Sequence, residues 1–187
     1  MDSATVRSAN AGDARGVRHV ARAAGRAARA DAVTDATLDD VFDDTYTEDA
    51  IRTAVRESAC YYVAVLDADA AKTTDVIGFI HATVDPDAPS TATVHDVAVL
   101  PEFWREGVGA ALLKAAEHAL RAAGVTALTA APLDGNEVGS AFFRGRGFDP
   151  DGDTTGFGDA PATEHTKAFT GPLEPEHDHP SRSSESL

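Results

Sequence analysis

The chain has a single cysteine, Cys60, among 187 residues, which excludes an internal disulfide and any cysteine-based zinc cluster. Lysine is nearly as scarce, with only Lys72, Lys114 and Lys167, and 16 basic residues face 31 acidic ones for a formal net charge of −15. A surface of that sign repels polyanions, and no folded stretch carries a basic footprint, so nucleic acid is excluded as a partner. No apolar run approaches the roughly 20 residues of a membrane span. Met1-Asp2-Ser3 opens without a basic region leading into an apolar one, so no membrane association is expected and the chain reads as soluble and cytoplasmic. Nothing repeats at a solenoid period. The histidines show no ligand spacing, so no metal is expected, and His177 and His179 lie where no preorganised site can form.

What is present organises into one domain over residues 1–172 and a polar tail over 173–187 that lacks the apolar content to fold. Thr5 to Arg7 reads as a first strand and Asn10 to Asp13 as a capped turn. Ala14 to Ala30 is a helix with Val17, Val20 and Ala24 on one face and Arg15, Arg18, Arg22, Arg26 and Arg29 mostly on another. Asp31 to Thr47 is polar and poorly periodic. Thr47 then caps an acid-rich helix running to about Ser58. Strands follow over Tyr61 to Leu66, Val76 to Val84 and Ala92 to Val99, with turns at Asp67-Ala68-Asp69 and Asp85-Pro86-Asp87-Ala88-Pro89. Gly109 to Ala123 is a helix and Val125 to Ala130 a strand. Asp149 to Pro161 is expected as a loop and Thr163 to Phe169 as the last strand. An antiparallel meander leading into a parallel crossover gives an α/β fold with a mixed sheet of six or seven strands flanked by about four helices. The acids are spread along the whole chain, a pattern similar to proteins of salt-accumulating halophiles; attraction of a basic substrate is the competing explanation.

The most informative stretch is Val97-Ala98-Val99-Leu100-Pro101-Glu102-Phe103-Trp104-Arg105-Glu106-Gly107-Val108-Gly109-Ala110, where a strand passes through a glycine turn straight into a helix. The first helical turn offers unpaired N–H groups and the positive end of a dipole, and glycine lets a ligand approach the backbone. A P-loop would need a lysine and a hydroxyl after the second glycine, and a dinucleotide fingerprint would need glycine where Leu112 stands. Both nucleotide motifs fail. The segment resembles motif A of the GNAT superfamily of N-acetyltransferases, with Gly107 and Gly109 in the glycine places and Trp104 where the family usually has Arg or Gln. Downstream, Asn136-Glu137-Val138-Gly139-Ser140-Ala141-Phe142-Phe143-Arg144-Gly145-Arg146-Gly147-Phe148 resembles motif B of the same superfamily, one helix and one strand later.

The resemblance implies a GNAT fold and acetyl transfer from acetyl-coenzyme A to a primary amine in a ternary complex. It assigns the pyrophosphate to the main chain of Arg105, Glu106, Gly107, Val108, Gly109 and Ala110, and the pantetheine arm to Val97, Ala98 and Val99. Asn136 and Phe143 complete the cofactor side. Phe143 stands where many members have a tyrosine that protonates the leaving thiolate, which phenylalanine cannot do. That loss keeps a second class open, a catalytically quiet acyl-coenzyme A sensor. Candidate bases are His95, Asp96 on the opposite side of an ideal strand, His81 on the neighbouring strand, and water. Phe42 and Tyr46 either line the acceptor pocket or anchor a loop. Cys60 reads as a small buried hydrophobe rather than a nucleophile. The acceptor is not named by the sequence, which is equally compatible with a monomer and a homodimer.

Overall fold

A computed structural model of the chain describes residues 4–29, 45–66, 76–156 and 160–170. Phe42, the turn at Asp67-Ala68-Asp69 and the tail over 173–187 lie outside the described residues. Seven strands form one sheet: β1 (Ala4–Ser8), β2 (Cys60–Leu66), β3 (Val76–Val84), β4 (Thr91–Val99), β5 (Ala127–Ala130), β6 (Asp149–Thr155) and β7 (Pro161–Ala168). Their order is β1-β2-β3-β4-β5-β7-β6, antiparallel throughout except for the β4–β5 pair. Among the described residues four helices flank it: α1 (Ala14–Arg29), α2 (Glu48–Glu57), α3 (Val108–Ala122) and α4 (Glu137–Arg144).

Central strands β2 and β3 are buried on both faces, which is why they read as continuous apolar runs. One face, carrying Gly78 and Val99, is covered by α3 through Leu112. Leu112, Leu113, Ala116 and Leu120 are the buried stripe of that helix. The other face, carrying Tyr61, Phe79 and His81, lies under α1 and α2. Asn10 caps the turn before α1 by accepting from the Gly12 N–H at 2.9 Å, and Asp13 answers by accepting from the Asn10 N–H at 2.8 Å. Asp13 is 0% exposed and takes both Arg7 nitrogens at 2.8 Å, fastening β1 to the start of α1.

The segment expected as a loop over Asp149 to Pro161 opens instead as a strand. Its first seven residues form β6, paired with β7 along the sheet edge. Pro150, Gly152 and the aspartates 149, 151 and 153 disfavour a central strand, but an edge strand keeps one side in water, where charge and proline block further pairing. Gly152, at φ 145°, absorbs the register shift after Pro150. The strand expected to begin at Val125 begins at Ala127, and the last strand is shifted toward the N-terminus, to Pro161–Ala168.

Candidate active site

Strands β4 and β5 pair only over Thr91–Val94 and Ala127–Ala130. Past Ala130 the chain turns from β4 toward β7, with Leu133 bridging Ala162 and the Pro132 carbonyl accepting from Thr163 at 3.3 Å. Among the described residues, 95–99 therefore have no strand paired on that side, and the sheet opens into a wedge. The Leu100 N–H donates to Ile77 on β3 at 2.8 Å. Strand alternation then turns the main chain of Val99 and Val97 away from β3 and into the wedge. Consistent with this, the Val99 carbonyl accepts a hydrogen bond from the Trp104 indole N–H at 2.7 Å.

At the lower end of the wedge the chain enters α3 through Arg105 at φ 69° and Gly107 at φ 87°, both in the left-handed region. Gly107 is the N-cap and has no side chain to cap with, and the Ala111 N–H makes the helix's first bond, to the Gly107 carbonyl at 2.9 Å. The N–H groups of Val108, Gly109 and Ala110 precede that bond and so have no helical acceptor. A Cβ at Gly107 would meet nothing within 4 Å, so this position opens onto free space. Gly109 has a different reason to be glycine: a Cβ there would stand 3.1 Å from the Phe142 ring. Asn136 caps α4 by accepting from the Gly139 N–H at 2.9 Å, and it also lines the cavity. Phe143 is 6% exposed and packs edge-on against Phe142 and Phe148.

At the other end the register of β3 against β4 slips between His81 and Ala82, so that Asp96 lies opposite His81, Val94 opposite Ala82, and His95 is the extra residue. Such a bulge cancels the alternation that would send His95 and Asp96 to opposite faces. Both line one cavity together with His81. The rings of His81 and His95 lie 5.1 Å apart, and Tyr61 stacks on His81 at 4.9 Å. His95 Nε2 is 2.7 Å from Thr83 Oγ1, and His81 Nε2 is 2.8 Å from Ser58 Oγ. Tyr46 donates its phenol proton to Asp96. Burial, with the neighbouring His95 second, lowers His81 to about 4. Burial raises Tyr61, helped by the charge of Asp96. Burial also pushes the Cys60 thiol up to about 11, and Cys60 is 1% exposed in β2, away from the cavity lining.

One cavity of 1310 Å³ joins these ends. It is lined by every predicted site residue except Glu106. It also takes in Tyr46, Trp104, Phe142 and Arg146, none of which stands among the predicted site residues. Arg146 sits over the Phe142 ring at 5.1 Å from its centroid. Only the aromatic side chains at the end of motif B hinted at that layer. No cluster of three or more His, Cys, Asp or Glu suited to a metal occurs among the described residues.

A mixed sheet splayed beside a glycine-started helix, with titratable groups at the top of the splay, marks an α/β acyltransferase. The chain belongs to the acetyltransferase (GNAT) family, whose sequence profile matches residues 27–148. No curated protein matches it closely enough to count as a relative. Among solved structures it is similar to the PaiA N-acetyltransferase of Thermoplasma acidophilum in complex with coenzyme A, at TM-score 0.77 and 20% identity over 89% of this chain and 99% of that one. The Ard1 structure from Thermoplasma volcanium gives TM-score 0.68 and 19% identity over 90% and 99%. The ribosomal-protein-S18-alanine N-acetyltransferase of Escherichia coli gives 0.65 and 18% over 95% and 99%. At these identities the likeness is one of fold.

Proposed function

We propose that the protein transfers the acetyl group of acetyl-coenzyme A to a primary amine by direct attack in a ternary complex. The observation that carries this reading is the continuity of one cavity from the glycine turn, along the unpaired edge of β4, to His95 and Asp96. Acetyl-coenzyme A is the substrate of the glycine-turn end. Its pyrophosphate suits the free N–H groups of Val108, Gly109 and Ala110 and the approach left by Gly107, with Arg105 and Glu106 in the turn before them. Its pantetheine arm suits the main chain of Val97 and Val99, although the Val99 carbonyl already serves Trp104, while the Ala98 main chain faces β3 and leaves that residue only a place in the cavity wall. Asn136 and Phe143, which line the same cavity, complete the cofactor side.

In the reaction the amine nitrogen bonds to the thioester carbon, the C–S bond breaks, and one amine proton must leave. His95 is the base we favour. His81 is held to about 4 and is too weak a base at neutral pH. Asp96 already accepts the Tyr46 proton, which uses one of its lone pairs. The thiolate takes its proton from water, since Phe143 has none to give. A buried thiol held near 11 gives no covalent route through Cys60. Phe143 favours the second reading, a quiet acyl-coenzyme A sensor. Thiol release from acetyl-coenzyme A with a panel of amines tests the choice: amine-dependent release supports the enzyme, and tight binding without release supports the sensor.

We further read residues 1–172 as the catalytic domain, the location as cytoplasmic and the acidity as salt adaptation. Among the described residues, no helix is long and apolar enough to cross a membrane.

A further inference from the structure

The charged residues that line the cavity are Arg105, Arg146, Glu137 and Asp96. Arg105 and Arg146 line the glycine-turn end. The described lining residues hold two carboxylates, Glu137 at the start of α4 beside Asn136 and Asp96 beside His95, and none of the lining residues next to Asp96 from β2, β3, α1 and α2 is a lysine or arginine. The walls there come from α1 and α2 through Ala24, Ala28, Ile51 and Ala54, which offer bulk without hydrogen-bonding groups. Tyr46, 9% exposed, holds the Asp96 carboxylate in place by donating to it.

From this charge pattern we infer that the acceptor is a primary amine on an apolar body with no acid group beside the amino carbon, docked as its ammonium on Asp96. The inference rests on the amine acetyltransfer proposed above and narrows its substrate class. An ammonium facing the half-buried Asp96 is a charge-assisted pair that passes one proton to water before its nitrogen attacks and the second to His95 as the C–N bond forms, whereas an α-carboxylate brought to the same place meets a like charge and no described cation. The apolar walls desolvate the acceptor's body at no polar cost. Tyr46 acts as a positioning residue, fixing the oxygen on which the ammonium lands.

The test compares unmutated protein on matched pairs, phenethylamine against phenylalanine and pentylamine against norleucine, by thiol release from acetyl-coenzyme A. The amine of each pair should have a kcat/KM higher by about 100-fold, the scale of a like-charge contact. Asp96→Asn should raise KM for phenethylamine about tenfold or more while calorimetry shows unchanged acetyl-coenzyme A affinity, and Tyr46→Phe should give a smaller rise of the same kind. Amino acids used as well as their amines, or an Asp96→Asn enzyme with normal KM for the amine, would overturn the inference and leave the acetyltransferase reading standing. No release with any amine, in protein that binds acetyl-coenzyme A, would overturn both.

Discussion

The two ends of the cavity are built from different material. The glycine-turn end is main chain: one left-handed glycine, three N–H groups without helical acceptors and the bare edge of β4. The far end is side chain: Tyr46 from just before the α2 N-cap, Ser58 from its C-cap, Tyr61 from β2, His81 from β3, and His95 with Asp96 from a bulge in β4. A main-chain site tolerates almost any side chain around it, provided the backbone can take its shape. A side-chain site changes with every substitution. The same fold can therefore keep one substrate constant while the other varies, and substitutions at the two ends should damage different steps.

The largest effect should come from His95→Ala, which we expect to lower kcat by about 100-fold or more, the usual worth of a general base. Steady-state rates at saturating amine check it: a loss of that size agrees, and more than half of normal turnover returns the role to water. Next is Gly107→Val. A branched side chain at φ 87° strains the N-cap by about 1 to 3 kcal/mol and fills the free space in front of α3, so affinity for acetyl-coenzyme A should fall roughly 10- to 100-fold. Calorimetry on protein shown to be folded by circular dichroism reads this directly, and wild-type affinity would remove the glycine turn from the site.

Smaller effects sharpen the contrast further. Phe143→Tyr should change turnover by no more than about threefold, because the aromatic packing with Phe142 and Phe148 is retained and water already supplies the proton. A tenfold loss would show that the ring needs an apolar edge. His81 makes a stability prediction. The unfolded chain protonates this imidazole near 6.5 and the folded protein only near 4, so the unfolded state holds the extra proton between those values. Stability should therefore drop as pH falls through that window, and His81→Gln should make the drop shallower in thermal melts from pH 7 to 4. Identical slopes for the two proteins would contradict the burial of a neutral His81. Finally, with a net charge of −15, the melting temperature should rise between low and molar potassium chloride as screening relieves repulsion; a flat or falling curve would remove salt adaptation from the account.

Legibility in the sequence follows the same division. Gly107 was readable because a backbone with φ near 87° leaves a compositional mark, and the strand-turn-helix order around it is local in the chain. The core strands were readable because double burial makes them continuously apolar. The far end was only half readable. His95, Asp96 and His81 stood out as titratable groups near one strand, but the bulge that puts them on one face depends on cross-strand register, which no local pattern encodes. Tyr46 reaches Asp96 across 50 positions, and nothing near either residue announces the pairing. Gly109 adds a reason that no local pattern shows, since a Cβ there would stand 3.1 Å from the Phe142 ring. Strand β6 was missed because propensity disfavours it and only its place at the edge permits it.

Under the proposed function, holding acetyl-coenzyme A and acetylating the amine fall to separate parts of one cavity. The most direct measurement strips the far end with Tyr46→Phe, His95→Ala and Asp96→Asn in one protein and titrates it calorimetrically with acetyl-coenzyme A beside the unmutated chain. The predicted result is an affinity within about threefold of the original, together with turnover reduced by about 100-fold or more. Affinity and turnover lost together, in a protein that still folds, would contradict it.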